Sequence, residues 1–226
     1  MAQIKTKRER VKFASDNVTG ACPEVLDAIL KSNDEDRTPY GNDELSKNLQ
    51  NKFSEIFEKE VIVFPTASGT AANALALSTM TPSFGNIYCH RLSHINVDEC
   101  GAPEFYTGGA KLINLEGING KIIAEELDNS ITGKGVVHHT QPSSVSITQL
   151  CETGVAYQLD EIKKISEVAH KHKLNIHMDG ARFANALVSL NCSPAEMTWK
   201  SGIDVLLSLI HISEPTRLLS ISDGGL

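Results

Sequence analysis

A small-residue segment, Pro65–Asn73, follows a short apolar run and leads directly into a stretch rich in alanine and leucine. Within it, Ser68, Gly69 and Thr70 place two hydroxyls and a glycine at the predicted start of a helix. The free N–H groups and the positive dipole end of a helix N-terminus attract anions, so this pattern is suited to a phosphate. The P-loop pattern GxxxxGK[ST] is absent, and Ser and Thr also cap helices that bind nothing, so an ordinary cap remains the alternative.

A carboxylate and a guanidinium follow another predicted strand, because Asp179 comes directly after Met178 and Arg182 lies three residues further on. A carboxylate at the tip of a central strand can keep a pyridine nitrogen protonated, and an arginine can hold a substrate carboxylate in bidentate fashion. The alternative is an Asp that caps the next helix beside a surface Arg.

Histidines and acidic residues follow the apolar stretch that ends at Cys89, namely His90, His94, Asp98 and Glu99. The ring of His94 is able to stack on a planar cofactor or to move a proton near neutral pH, and a purely structural histidine is the alternative. The four side chains do not have the fixed spacing of a known metal site, so a metal centre is not favoured.

Glu152 is a further candidate, because it comes shortly after the strand predicted to end at Thr148. The adjacent pair His138 and His139 precedes the same strand. Adjacent histidines are usually loop residues, so Glu152 is the stronger candidate for proton transfer.

Strand-like and helical periods alternate along the chain, which predicts a mainly parallel sheet with helices on both faces, an α/β fold. The predicted strands are 61–64, 86–89, 111–114, 144–148 and 174–178, and the predicted helices are 23–31, one that Asp43 caps, 68–80 and 159–172. In such a sheet the ligand lies beyond the carboxyl ends of the strands, which is where the candidate residues fall.

The 226 residues are 41% hydrophobic and 22% charged, with a net charge of -7, and no apolar run is long enough for a transmembrane helix. The acidic balance disfavours nucleic acids and anionic membranes as partners. Five scattered cysteines without a CxxC pair are typical of a reduced cytoplasmic protein, and residues 1–12 are predicted to form a solvated arm.

Taken together, the motifs resemble those of the low-specificity L-threonine aldolases, members of the β-eliminating lyase group with the aspartate aminotransferase-type fold. The matching stretches are Phe13–Asn17, Tyr40–Asp43, Ser68–Asn73, Asp98–Glu104, His177–Phe183, Thr198–Lys200 and Asp204–Leu206. Several ordered motifs are far more specific than any one of them. The resemblance implies a partial cofactor-binding large domain at residues 13–206.

The resemblance also implies the cofactor, pyridoxal phosphate, and the reaction, which is retro-aldol cleavage of L-threonine or L-allo-threonine to glycine and acetaldehyde. By position, Ser68, Gly69 and Thr70 would hold the phosphate, His94 would stack on the ring and Asp179 would pair with the ring nitrogen. The expected contacts to the amino acid substrate come from Arg182, Ser15 and Tyr40. The resemblance places Tyr40 in the site of a neighbouring subunit of a homodimer or homotetramer. Some relatives carry a histidine where Glu152 stands, which leaves the proton acceptor for the β-hydroxyl open.

The end of the chain departs from the family pattern, in which Ser-Phe-Gly and a Thr-Lys-Asn-Gly element with the Schiff-base lysine would follow Leu206. By count that lysine falls at Ile212, and no lysine follows Lys200. Leu207–Arg217 resembles a translated sequencing-library adapter, so our hypothesis is that residues 207–226 are a non-native tail. The truncated chain is then expected to be inactive, unlike its parent.

Two other functions are consistent with these residues. A lyase that performs β-elimination on another amino acid would share the cofactor contacts and differ only in its substrate contacts. A non-catalytic, lysine-free binding module would require the tail after Leu206 to be encoded in the organism.

Overall fold

The computed structural model describes residue 21, residues 23–33 and residues 36–209. The predicted arm at residues 1–12, the candidate Ser15 and the position of Ile212 lie outside these residues. None of the described helices combines the length and apolarity that crossing a membrane requires.

The described helices and strands alternate much as the sequence predicts. The helices are α1 (Pro23–Asn33), α2 (Glu44–Ile56), α3 (Gly69–Met80), α4 (His94–Val97), α5 (Ala102–Tyr106), α6 (Ala124–Ser130), α7 (Leu159–Lys171), α8 (Phe183–Leu190) and α9 (Pro194–Met197). The strands are β1 (Gly85–His90), β2 (Lys111–Leu115), β3 (Gly117–Ile118), β4 (Lys121–Ile122), β5 (Gln141–Thr148), β6 (Asn175–Gly180) and β7 (Val205–Ser208).

Five strands form one sheet in the order β2-β1-β5-β6-β7, and every neighbouring pair in it is parallel. This confirms the predicted α/β fold, with α3 packed on one face and α6 and α7 on the other. Strand β7 continues through Leu207, which is buried, and Ser208, which pairs with Gly180. The short strands β3 and β4 form a separate antiparallel hairpin.

Local sequence explains where the main helices begin. Asp43 caps α2, its side chain accepting a hydrogen bond from the backbone N–H of Ser46 at 3.0 Å. Helix α7 begins with a capping box in which the Glu161 side chain accepts from the Gln158 N–H at 2.7 Å. Such caps satisfy N–H groups that have no partner within the helix.

The two faces of the sheet differ in chemistry, because successive side chains of a strand point to opposite faces. Toward α7 the central strands present apolar residues, including Val145, Ile147, Ile176 and Met178. Toward α3, strands β5 and β6 present Ser144, Ser146, His177 and Asp179, which we call the polar stripe.

The polar stripe is buried and is satisfied mostly by side chains. Ser144 bonds to Thr81 at the end of α3 at 2.7 Å, and Ser146 bonds to Nδ1 of His177 at 2.9 Å. The Nε2 atom of His177 is buried without a partner among the described residues. Burying polar groups costs free energy unless they are paired, and among the described residues that cost falls on the Nε2 atom of His177 and not on its paired neighbours.

The predicted buried strand at Val61–Phe64 is wrong. The segment has no regular secondary structure and pairs with no described strand, and Ile62 and Phe64 are 75% and 74% exposed. Its backbone is bound by a side chain instead: the Val63 N–H donates to Oε1 of Gln50 at 2.9 Å, and the Val63 carbonyl accepts from Nε2 of Gln50 at 2.7 Å. The apolar run therefore predicted a buried strand where the chain forms none.

This two-bond contact makes Gln50→Ala a test of how the segment is held. We expect the variant to lose about 1–2 kcal/mol of unfolding free energy, because two backbone groups of Val63 lose their partner. Urea unfolding measures the change. Asn51→Ala, at an exposed position of the same helix, is the control, and equal stability of the two variants would show that Gln50 does not hold the segment.

Candidate active site

The carboxyl ends of the parallel strands and the N-terminus of α3 meet at one edge of the sheet. Thr148 of β5 lies beside Asp179 of β6, and Gly180 lies beside Ser208 of β7. Gly69, the first residue of α3, lies next to Leu209, since a Cβ built on Gly69 would be 3.7 Å from Cδ2 of Leu209. The segment and strand tip that the sequence singled out are therefore neighbours in space.

The N-terminus of α3 has the features of an anion site. Ser68 is the N-cap, its side chain accepting from the Ala71 N–H at 3.2 Å, and its carbonyl accepts from the Ala72 N–H at 3.0 Å. The N–H groups of Gly69 and Thr70 have no acceptor among the described residues. Two donors and the positive end of a helix of 12 residues thus remain for a ligand.

Asp179 is 4% exposed and is held by two hydrogen bonds. Its Oδ1 atom accepts from the Ala181 N–H at 3.0 Å, and its Oδ2 atom accepts from Nδ2 of Asn73 at 3.0 Å. Each carboxylate oxygen can accept two hydrogen bonds, so Asp179 keeps capacity for another donor.

His94 is joined to a buried carboxylate. Its Nδ1 atom lies 2.8 Å from Oε1 of Glu99, whose side chain is fully buried, while the His94 side chain is 41% exposed. The hydrogen bond to Glu99 raises the pKa of His94, burial lowers it, and the charges of Glu99, Asp179 and Glu152 raise it further. The charges of these three carboxylates therefore all favour the protonated form of His94.

Arg182 and Glu152 form an ion pair, with Nη2 of Arg182 3.2 Å from Oε2 of Glu152. Arg182 also donates to the Leu150 carbonyl at 3.5 Å. Both side chains keep solvent access, at 43% for Arg182 and 24% for Glu152. Arg182 can therefore exchange the Glu152 carboxylate for the carboxylate of a ligand.

Tyr40 does not join this cluster within its own subunit, and Ser15 cannot be placed relative to it. Tyr40 is 95% exposed, and Ser15 lies outside the described residues. His90 serves the local turn, because its Nδ1 atom accepts from the Leu92 N–H at 3.1 Å, and burial lowers its pKa. His138 and His139 are exposed turn residues.

Asn73, which no local sequence pattern singled out as a site residue, lies at the centre of the cluster. Its Nδ2 atom donates to Oε1 of Glu99 at 2.7 Å as well as to Asp179. A signal was present, since Asn73 is an amide one turn into a helix otherwise rich in Ala and Leu. Across residues 23–33 and 36–209, no three His, Cys, Asp or Glu side chains are arranged to hold a metal ion, and Glu99 instead bonds to His94 and Asn73.

Comparison with known proteins is consistent with this arrangement. The model of the beta-eliminating lyase family matches residues 12–209, which is most of the chain. The chain belongs to the beta-eliminating lyase family. Within it, a low-specificity L-threonine aldolase of Pseudomonas sp. (strain NCIMB 10558) is 43% identical over 195 residues, covering 86% of this chain and 56% of that protein.

Other similar proteins extend the comparison. A low-specificity L-threonine aldolase of Pseudomonas aeruginosa is 40% identical, with the same coverage of 86% and 56%. Among solved structures, a Leishmania major threonine aldolase superposes with a TM-score of 0.76 at 26% identity, covering 82% of this chain and 54% of that one. An archaeal alanine:glyoxylate aminotransferase, at 22% identity and a TM-score of 0.52, covers 70% of this chain and 40% of its own and shares the fold. The chain spans little more than half the length of these threonine aldolases.

Proposed function

We propose that this chain carries the cofactor-binding part of an L-threonine aldolase. Its cleft binds pyridoxal 5'-phosphate, and the complete protein cleaves L-threonine or L-allo-threonine to glycine and acetaldehyde. The amino acid sequences of two relatives named as low-specificity L-threonine aldolases, at 43% and 40% identity, support this substrate.

The observation that carries the proposal is that one helix links an anion site to a buried carboxylate. The free N–H groups of Gly69 and Thr70 lie at the start of α3, and Asn73, four residues on, bonds to Asp179. Four helical residues rise about 6 Å, so the free N–H groups lie about 6 Å along the helix from Asn73, the residue that bonds to Asp179. A ligand with a phosphate at one end and a protonated ring nitrogen at the other satisfies both.

The residues present fit pyridoxal phosphate. The N-cap Ser68, Gly69 and Thr70 would hold its phosphate, and Asp179 would accept from its ring nitrogen. Gly69 supports this assignment, because an added Cβ would make only an ordinary contact of 3.7 Å with Leu209. The protein's own packing does not require glycine there, whereas close approach of a ligand to the backbone does.

Each remaining side chain has a role set by its contacts. The His94 ring, held at Nδ1 by Glu99, would stack on the cofactor. Arg182 would exchange its contact with Glu152 for the substrate carboxylate, since a guanidinium binds carboxylates in bidentate fashion. Ser15 is a second candidate for that carboxylate.

The cofactor, when bound, supplies an electron sink for the pair released as the Cα–Cβ bond of the substrate breaks. The protein must then take the proton of the β-hydroxyl so that acetaldehyde can leave. Glu152 and His94 are the two candidates for this base, and the charges of both Glu152 and Asp179 act on His94. Once substrate engages Arg182, the Glu152 carboxylate is released to accept a proton.

We further propose that the protein acts as a cytoplasmic homodimer or homotetramer in which Tyr40 reaches the site of a neighbouring subunit. The exposure of Tyr40 supports this, because a tyrosine at 95% exposure has little contact with its own subunit. We expect no nucleic acid or membrane partner.

The reaction also requires a lysine, and the position to which the family resemblance assigns it, Ile212, lies outside the described residues. We propose that residues 207–226 are a non-native tail and that the parent gene continues with Ser-Phe-Gly and a Thr-Lys-Asn-Gly element. This is tested by sequencing the source DNA across the Leu206 codon with a method that adds no adapter of that kind to the library. If residues 207–226 are found in the genome as they stand in this chain, the catalytic assignment is overturned and a lysine-free binding module is favoured.

The reaction itself is tested on the protein encoded by that uninterrupted frame. We expect this protein to convert L-threonine to acetaldehyde and glycine. A coupled assay for acetaldehyde measures the reaction. Release of ammonia with a keto acid in place of acetaldehyde would instead identify a β-eliminating lyase acting on another bond.

The anion site makes Ser68 a discriminating position. Ser68→Asp preserves an N-cap acceptor but adds a negative charge, so we expect at least about tenfold weaker binding of pyridoxal phosphate with little change in stability. Ser68→Ala removes the cap and is expected to cost about 1 kcal/mol of unfolding free energy. Calorimetric titration and urea unfolding measure the two effects. Unchanged cofactor affinity in Ser68→Asp would show that no phosphate binds at this helix.

A further inference from the structure

A continuous chain of hydrogen bonds joins His94 to Asp179 through two side chains that have no role in the proposed contacts to ligand. Nδ1 of His94 lies 2.8 Å from Oε1 of Glu99, the same oxygen accepts from Nδ2 of Asn73 at 2.7 Å, and Nδ2 also donates to Oδ2 of Asp179 at 3.0 Å. We call these four side chains the relay network.

The orientation of Asn73 follows from its partners. An ionised carboxylate only accepts hydrogen bonds, so the group that faces both Glu99 and Asp179 must be the amide nitrogen with its two hydrogens. A single NH2 group therefore lies between two carboxylates and keeps both of them bonded. In the alternative orientation the amide oxygen, which is also an acceptor, would face the two carboxylate oxygens and form no hydrogen bond with either.

Two atoms of the relay network lack hydrogen-bond partners within the part of the chain that the structure describes, so stabilising the fold does not by itself explain the network. Oδ1 of Asn73 and Oε2 of Glu99 are buried and have no partner among the described residues. Buried polar networks with unpaired members stabilise a fold less than apolar packing of the same volume. The arrangement is better explained by what it does to the two end residues, His94 and Asp179, which border the cleft.

Charge supports the same conclusion. Glu99, Asp179 and a protonated His94 sum to a charge of -1, which a protonated ring nitrogen would neutralise. Glu152 adds a further negative charge that acts on His94, and Asp98, on the turn that follows α4, is exposed. A buried Glu99 in contact with Nδ1 favours a proton on that atom, which leaves Nε2 as the free nitrogen of the ring.

We propose that Glu99 and Asn73 are positioning residues for the cofactor, with Glu99 fixing the Nδ1–H form and the ring plane of His94 and Asn73 fixing the carboxylate plane of Asp179. The assignment rests on the proposed function, since it concerns how the cleft presents these two residues to pyridoxal phosphate. In this assignment Glu99 and Asn73 act through His94 and Asp179 and are not themselves ligand contacts.

The test uses the full chain without cofactor and follows the imidazole nitrogens of His94 by NMR across a pH titration. In the unsubstituted protein we expect the neutral ring to carry its proton on Nδ1. In Glu99→Gln, an almost isosteric change that removes the charge, we expect the pKa of His94 to fall, because the largest contribution that raises it is lost. Asp98→Asn removes a neighbouring exposed carboxylate and is the matched control, with an unchanged His94 titration.

A second readout is the affinity for pyridoxal phosphate. We expect Glu99→Gln and Asn73→Ala each to weaken binding about tenfold, the equivalent of one lost charge-assisted hydrogen bond, and Asp98→Asn to leave binding unchanged. A role that is merely structural would lower stability in Glu99→Gln and leave the affinity of the folded variant for pyridoxal phosphate unchanged.

The outcomes separate the two proposals. If the unsubstituted protein does not bind pyridoxal phosphate, the proposed function fails, and with it the purpose of the relay network. If it binds the cofactor but His94 carries its neutral proton on Nε2, or titrates identically in Glu99→Gln, then only the positioning role is overturned. The measurement on the unsubstituted protein decides the first point even if a variant fails to fold.

Discussion

Replacing Asp179 with asparagine is expected to weaken the binding of pyridoxal phosphate about 10- to 100-fold, as measured by calorimetric titration. A charge-assisted hydrogen bond in a buried site contributes about 1.5–3 kcal/mol, and each 1.4 kcal/mol is a factor of ten in affinity. Asp179 is 4% exposed, so solvent does little to screen its charge from a protonated ring nitrogen.

The substitution is chosen so that the fold persists. An asparagine keeps one oxygen that can accept from Asn73 or from the Ala181 N–H, the two donors that Asp179 binds. Asp98→Asn, an equal change in charge at an exposed position, is expected to leave the affinity unchanged. Equal affinity of Asp179→Asn and the unsubstituted protein would show that the ring nitrogen is not recognised at the end of β6.

Acid is expected to destabilise the protein through His177, by about 3 kcal/mol when the pH falls from 7 to below 4. The side chain is 0% exposed, and burial lowers its pKa from 6.5 to about 4, against the opposing charge of Asp179. Between these two values the unfolded chain binds a proton that the folded chain does not. The unfolding free energy therefore falls as the pH falls through this range.

His177→Asn tests this expectation by urea unfolding at a series of pH values. The variant should be less stable than the unsubstituted protein at pH 7 but should lose less stability on acidification, and His138→Asn, on an exposed turn, should behave like the unsubstituted protein. His94, whose pKa is raised, acts in the opposite direction, because its stabilising contribution is present below 6.5 and is lost as the pH rises through its folded pKa. The contribution of His94 is the same in the unsubstituted protein, His177→Asn and His138→Asn, so it cancels when their pH dependences are compared. A parallel pH dependence of His177→Asn and the unsubstituted protein would contradict the account.

Much of the sheet was predictable because short-range patterns determine it. The strands at 86–89, 111–114, 144–148 and 174–178 and the helix capped by Asp43 were all confirmed, with ends that moved by a few residues. The error at Val61–Phe64 has a physical cause: hydrophobicity indicates burial, but whether a segment joins a ladder depends on which strand is beside it. Strand β7 (Val205–Ser208) was not predicted as a strand for a related reason, since a four-residue apolar run carries little periodicity.

The candidate site was predictable in part, from the rule that ligands lie beyond the carboxyl ends of parallel strands. That rule identified Ser68 and Asp179 as candidates, although it gives no distance between them. The contacts that join the site could not be predicted locally, because Asn73 and Asp179 are 106 positions apart and Arg182 and Glu152 are 30 apart. Asn73 in particular looks like a mildly unfavourable helix residue until the two carboxylates beside it are seen.

An equilibrium titration with pyridoxal phosphate, performed on the unsubstituted chain and on the double variant Ser68→Asp, Asp179→Asn, tests whether the cleft binds the cofactor. Surface lysines that also react with the aldehyde are the same in both proteins, so they set the background. We predict saturable binding of one cofactor per chain and a signal at background for the double variant. No saturable binding by the unsubstituted chain, or equal binding by the two proteins, would contradict the account.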